Sequence, residues 1–196
     1  MATTSLFETL IYKQALGKAG LAKLNKDLLL DCYKVAEYDK AGQKWSVDKF
    51  SGGYTSYSSL ARLFEFNSTF AKLRDHIDSH VAKFCNQLGF REPLSMSGLW
   101  INIVPTHTYH GLHLHPLSVL SGTYYLKVLS QSGNLKFEDP RLGLFMNRPV
   151  SRKGTPFHEI KPKVGDVVLF ESWIRHEVCQ NRSSQDRVSL SFNYST

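Results

Sequence analysis

S-G-L-W-I-N-I-V-P-T-H-T-Y-H-G-L-H-L-H-P, residues 97–116, marks the point where the chain changes character. Before it, apolar residues recur at steps of three and four. From Ser97 onward they fall in short β-rich runs broken by turn residues. The first spacing lines one face of a helix. The second pattern, bounded by Gly, Pro, Asn and Asp, belongs to strands. The runs are L-W-I-N-I-V, S-G-T-Y-Y-L-K-V-L, N-L-K-F-E, F-H-E-I, D-V-V-L-F-E and R-V-S-L-S-F-N-Y, with turns at 132–134, 139–141 and 163–166. Short strands in this number, with turns between them, predict a sandwich or barrel.

Upstream, Leu21, Leu24, Leu28, Cys32 and Val35 make one helical stripe. Phe70, Leu73, Ile77, Val81, Phe84 and Leu88 make a second, with Lys72, Arg74, Asp75, Asp78 and Lys83 on its other face. Asn67 or Ser68 would cap this second helix and Gly89 would end it. The stretch S-G-G-Y-T-S-Y-S-S between the stripes reads as loop, and Leu10, Ile11 and Tyr12 read as a short strand. The expectation is one α+β domain over residues 1–196. Residues 1–92 would be mainly helical support bracing one sheet from outside, and residues 93–196 the β core.

The bulk numbers narrow the function classes. With 196 residues, 42% hydrophobic and 21% charged, the chain can bury a core and is not disordered. No run of eighteen apolar residues exists, so no membrane span is expected. The N-terminus lacks the basic stretch and long apolar run of a secretory signal. Cys32, Cys85 and Cys179 are odd in number and far apart, which fits reduced thiols in a cytoplasmic setting. The net charge of +7 favours anionic partners, yet the 24 Lys and Arg are scattered, as on a solvated surface. Nucleic acid stays open as a partner without support. An exposed barrel edge would allow a homodimer.

Four of the eight histidines lie in T-H-T-Y-H-G-L-H-L-H-P: His107, His110, His113 and His115. On an extended segment, residues two apart point to the same side. His113 and His115 therefore aim both imidazoles at one point, and Pro116 disfavours helix there. A protein-held metal needs a third ligand. His176, in L-F-E-S-W-I-R-H-E-V, follows an apolar strand and is the candidate. His107 and His110 read as loop or supporting groups, with His110 a substitute ligand. His76 and His80, four apart on the second helix, read as a solvated face, and His158 stands alone.

Arg187 opens R-V-S-L-S-F-N-Y, and Ser189 shares its face of the strand. Arginine grips a carboxylate through two parallel hydrogen bonds. A buried Arg187 needs an anion, which the residues alone leave open: a ligand, or a protein acid such as Asp166 or Glu171.

Taken in order, S-G-L-W-I-N, H-L-H-P-L-S, L-S-G-T-Y-Y-L-K, G-N-L-K-F-E-D-P-R, G-D-V-V-L-F-E-S-W-I-R-H-E-V and R-V-S-L-S-F-N-Y resemble the 2-oxoglutarate and Fe(II)-dependent oxygenases and, more narrowly, a small 2OG-Fe(II) oxygenase group with an H-x-H...H metal motif, related to the prolyl-hydroxylase-like branch. The matching stretches run over residues 97–194, about half the chain. The resemblance implies a double-stranded β-helix, a cupin-like jelly-roll barrel with N-terminal bracing helices. It implies a dioxygenase that uses Fe(II), 2-oxoglutarate and O2 on an organic substrate, by hydroxylation or demethylation. His113, His115 and His176 would be the metal ligands. Arg187 and Ser189 would bind the distal carboxylate of 2-oxoglutarate, with Tyr125 touching the same group and Leu135 as an apolar wall. Trp100, Asn102 and Trp173 would line the pocket. The superfamily usually has a carboxylate where this chain has His115. Glu138 or Asp139 could supply one instead. Two other readings compete: a three-histidine dioxygenase or isomerase of cupin type without 2-oxoglutarate, and a non-catalytic, metal-stabilised jelly roll.

Overall fold

Along β10 (Arg187–Ser195) the side chains divide cleanly between two environments. Val188, Leu190, Phe192 and Tyr194 belong to the main apolar core. Arg187, Ser189, Ser191 and Asn193 line a cavity on the other face. A pleated strand sends alternate residues to opposite faces, so this one sequence builds both a hydrophobic outer face and a polar inner one. A computed structural model describes residues 3–16, 21–50, 52–141, 146 and 156–196.

The described elements run β1 (Tyr12–Ala15), α1 (Leu21–Tyr38), α2 (Lys40–Lys49), β2 (Tyr54–Thr55), α3 (Leu63–Phe66), α4 (Ser68–Leu88), β3 (Ser95–Val104), β4 (His110–His113), β5 (Leu120–Lys127), β6 (Leu135–Glu138), β7 (Phe157–Ile160), β8 (Asp166–Glu171), β9 (His176–Val178) and β10. They form an α+β architecture of two antiparallel sheets. One has the order β1-β8-β5-β10-β3-β2, the other β4-β9-β6-β7. The expected strands after Ser97 are all present, as are the two striped helices.

The helices cover the outer face of the larger sheet. Leu28, Cys32 and Val35 of α1 and Phe70, Leu73, Ile77, Val81 and Phe84 of α4 share one core with Leu99, Ile101, Tyr124, Val167 and Leu169 from the strands. Burial of each large apolar side chain contributes roughly 1.5–3 kcal/mol, so this layer is the main source of stability. The Asn67 side chain accepts the Thr69 N–H at 2.7 Å at the start of α4, and Gly89 ends it in the left-handed conformation at φ 77°. A smaller core joins the inner faces of the two sheets through Tyr125, Leu135, Phe137, Val168, Phe170 and Ile174.

Three features depart from the expectation. Helix α2 has no apolar stripe, since its buried residues are Gly42 and Ser46. The Asp39 carboxylate accepts the Gly42 N–H at 2.9 Å and the Tyr54 hydroxyl at 2.8 Å, and a Cβ on Gly42 would stand 2.1 Å from that carboxylate. The N-terminal strand runs Tyr12–Ala15 rather than Leu10–Tyr12, and with β2 it supplies both edges of the larger sheet. The part of the chain before Ser95 is therefore structural sheet as well as bracing helix. Finally, His80 is buried rather than solvated; its Nδ1 meets the Tyr12 hydroxyl at 2.7 Å. No described helix is long and apolar enough to cross a membrane.

Candidate metal centre and anion pocket

β4 and β9 are paired so that His113 lies directly across from His176. His115 sits two residues past the end of β4, where its N–H donates to the Ser172 carbonyl at 3.1 Å. The ligand nitrogens of His113, His115 and His176 all lie within 4.8 Å of one another. The ring centroids are 4.3 Å apart for His113 and His176, 5.1 Å for His115 and His176, and 5.3 Å for His113 and His115.

The far side of each ring is tied to an oxygen. His113 Nδ1 donates to the Gly111 carbonyl at 2.7 Å, and His176 Nδ1 to the Ile174 carbonyl at 2.9 Å. His115 Nδ1 meets Asn193 Oδ1 at 2.6 Å and Ser121 Oγ at 2.9 Å. Ser121 donates to the same Asn193 oxygen at 2.8 Å, which marks that oxygen as the acceptor. A carbonyl only accepts, so in each ring Nδ1 carries the hydrogen and Nε2 keeps its lone pair. This is the orientation that second partners impose on metal-binding imidazoles. Burial disfavours the charged form, pushing His176 down to about 2 and His115 down to about 4, and lowering His113 as well. Neutral imidazole is also the form that binds a metal.

His110 is stacked on His113 with centroids 4.1 Å apart, and burial pushes it down to about 3. It lines the cavity but is not one of the clustered ligand groups. His107, with φ 68°, donates its N–H to the Asn181 carbonyl in a loop. His76 and His158 are exposed.

Arg187 is only 2% exposed. It makes no ion pair with any described residue. Its Nη1 lies 3.4 Å from the Gly133 carbonyl, and its buried Nε has no partner among the described residues. Asp166, a candidate partner, pairs instead with Lys13 at 3.2 Å and accepts the Lys163 N–H. Glu171 makes no ion pair with Arg187. Ser189 and Tyr125 stand at paired positions on β10 and β5, both buried and both lining the cavity. Burial pushes the Tyr125 phenol up to about 12, so it stays a donor. Neither hydroxyl is bonded to a described residue. Glu138 is paired with Arg175 at 2.7 Å and Asp139 with Arg141 at 2.7 Å, so neither joins the histidines as the carboxylate that the sequence left open.

The cavity holds about 210 Å³. Leu135, Trp100 and Asn102 line it as expected, whereas Trp173 does not and is half exposed. Sequence reasoning missed Asn193 and Ser121, although the alternation that links Arg187 to Ser189 leads on to Ser191 and Asn193. It also missed Trp45 and Phe50, which lie on and at the end of α2, a helix without an apolar stripe, and Tyr57, which lies in the loop-like stretch after β2.

Fold and site together define a protein of the 2-oxoglutarate- and iron-dependent oxygenase class. Residues 98–193, 96 of the 196, match the family described as "Putative 2OG-Fe(II) oxygenase". The cofactors of that family are Fe(II) and 2-oxoglutarate, with O2 as co-substrate. A prolyl-4-hydroxylase from Pseudomonas putida is similar in structure at TM-score 0.63 and 15% identity, covering 95% of this chain and 92% of that one. The alpha ketoglutarate dependent carbocyclase SnoK from nogalamycin biosynthesis reaches TM-score 0.69 at 16% identity, over 95% and 79%. A 2OG-Fe(II) oxygenase family oxidoreductase from Burkholderia pseudomallei is 23% identical over 57% of this chain, which spans 50% of that chain's length, at TM-score 0.45. At these identities the likeness is one of fold. No curated protein matches the sequence.

Proposed function

We propose that the chain is an Fe(II)- and 2-oxoglutarate-dependent oxygenase of jelly-roll fold that hydroxylates or demethylates an organic substrate. His113, His115 and His176 would hold the iron through Nε2. Arg187, with Ser189 and Tyr125, would hold the distal carboxylate of 2-oxoglutarate. The carrying observation is the orphaned Nε of Arg187. A guanidinium buried without an anion is costly, and the described residues give it none. A dicarboxylate reaching from the imidazole cluster into this pocket removes that cost, which a cupin-type site without 2-oxoglutarate does not.

Bound iron and 2-oxoglutarate supply the oxidising power for O2 chemistry. The chain's own groups do the rest. Gly111, Ile174 and Asn193 fix the three rings in one tautomer. Phe170 packs edge-on against His176 at 4.5 Å and Leu135 forms a wall, so water is excluded from one side of the cluster. Ser189 and Tyr125 add neutral hydrogen bonds where Arg187 adds charge. The test is metal and 2-oxoglutarate binding by His176→Ala. Both should be lost from a folded variant. Tight iron binding and unchanged 2-oxoglutarate turnover would refute the assignment.

A further inference from the structure

The same cavity carries an aromatic panel that metal and co-substrate leave unused. Trp45 of α2 contacts Tyr57 with centroids 6.4 Å apart, and Tyr57 meets Trp100 of β3 edge-on at 5.0 Å. Trp100 then lies 5.8 Å from His115. The panel thus runs from Trp45 through Tyr57, which is 50% accessible, to the imidazole cluster. Beside it, His110 is held edge-on by Phe50 at 5.1 Å and stacked on His113. The other three cavity histidines have Nδ1 tied to an oxygen, but neither nitrogen of His110 is hydrogen-bonded to a described residue. Among the described residues lining the cavity there is no carboxylate, and the one charged side chain is Arg187.

We propose that this panel is the substrate subsite, and that it takes a flat ring that carries no positive charge and presents an oxygen to His110. The proposal rests on the functional reading in one respect: Arg187 is occupied by the co-substrate. Aromatic walls contact a flat ring edge-on or offset, adding roughly 0.5–1.5 kcal/mol per ring pair to its burial. His110 supplies one N–H that finds no protein acceptor. A cation entering here would lose its water and meet no counter-ion, with Arg187 in the same cavity. Ring faces also attract cations, so charge is the property that the test varies.

The test uses the full chain, labelled with 15N and loaded with Zn(II) and 2-oxoglutarate so that Arg187 is occupied, and three probes that share one ring: p-cresol, 4-hydroxyphenylacetate and tyramine. Its three tryptophans give three indole N–H signals, two of them, Trp45 and Trp100, on the cavity and one, Trp173, outside its lining. p-Cresol and 4-hydroxyphenylacetate should shift the Trp45 and Trp100 signals saturably and leave Trp173 in place. Tyramine should bind at least tenfold more weakly. His110→Ala and Tyr57→Ala should each weaken p-cresol binding at least threefold; Tyr57 is half exposed, so its removal leaves the core intact. Equal binding of tyramine, unmoved Trp45 and Trp100 signals, or unchanged affinity in both variants would overturn the proposal. A parallel titration with 2-oxoglutarate on the Zn(II)-loaded chain separates the two readings. Its failure alone would sink the oxygenase assignment, while the p-cresol result decides the subsite.

Discussion

Replacing Arg187 by Met should make the ligand-free protein more stable and the ligand-bound one less responsive. The guanidinium is 2% exposed, its Nε is unpaired, and its Nη1 has a single 3.4 Å contact. Burial lowers its pKa, the sign of a charge held where water cannot reach it. Substituting an apolar group of similar length for a buried, uncompensated charge stabilises by roughly 1–3 kcal/mol. For a chain of this size each kcal/mol moves Tm by about 2–4 °C. The variant should therefore melt several degrees higher without 2-oxoglutarate. Two charge-assisted hydrogen bonds to the carboxylate contribute about 3 kcal/mol together, or roughly a hundredfold in Kd. At a 2-oxoglutarate concentration of about 100 times the parent Kd, the parent gains about 2.7 kcal/mol. The variant, then near its own Kd, gains about 0.4 kcal/mol. The assay is thermal unfolding of the Zn(II)-loaded chain with and without 2-oxoglutarate. A variant less stable than the parent without ligand, or equally stabilised by it, would refute the reasoning and make Arg187 a structural residue.

Asn193→Ala frees the Nδ1 side of His115 and should weaken metal binding about 10–100-fold, read by competition with a chelating dye, while the fold persists. An unchanged metal affinity would remove Asn193 from the site. Stability of the metal-free chain should fall as pH drops below about 6.5. The unfolded chain takes up protons on His110, His115 and His176 there, whereas the folded chain resists until about 3, 4 and 2. The loss is at most about 1.4 kcal/mol per pH unit for each group, and flat denaturation midpoints from pH 7 to 5 would contradict it. Asn67→Ala removes the cap of α4 and should cost about 1 kcal/mol, lowering Tm by about 2–4 °C without touching metal binding.

Much of this could be read from the sequence, for identifiable reasons. Strand alternation separates Arg187 and Ser189 from Val188 and Leu190, and the three-and-four spacing of Phe70 to Leu88 marks α4. These are local patterns with strong periods. What escaped lacks such a period or depends on distant partners. Helix α2 buries a glycine and a serine, so no apolar stripe advertises it. β1 is an edge strand with three exposed residues of four, which leaves no alternation to detect. His80 is buried with its Nδ1 against the hydroxyl of Tyr12, a partner 68 positions away that no local pattern reveals. The pairing of His113 with His176 needs a fold to bring β4 against β9, and spacing alone could only suggest it.

The placement of β1 and β2 at the two margins of the larger sheet has a consequence for how the molecule is made. Tyr12 must wait for Leu169, and Tyr54 for Ile103, so segments synthesised early are zipped on late. Contacts of such span slow folding and leave β8 and β3 unguarded meanwhile. Trimming the chain before Leu21 should leave β8 as an open template for other strands and promote self-association, even though the three clustered histidines and Arg187 would still be present.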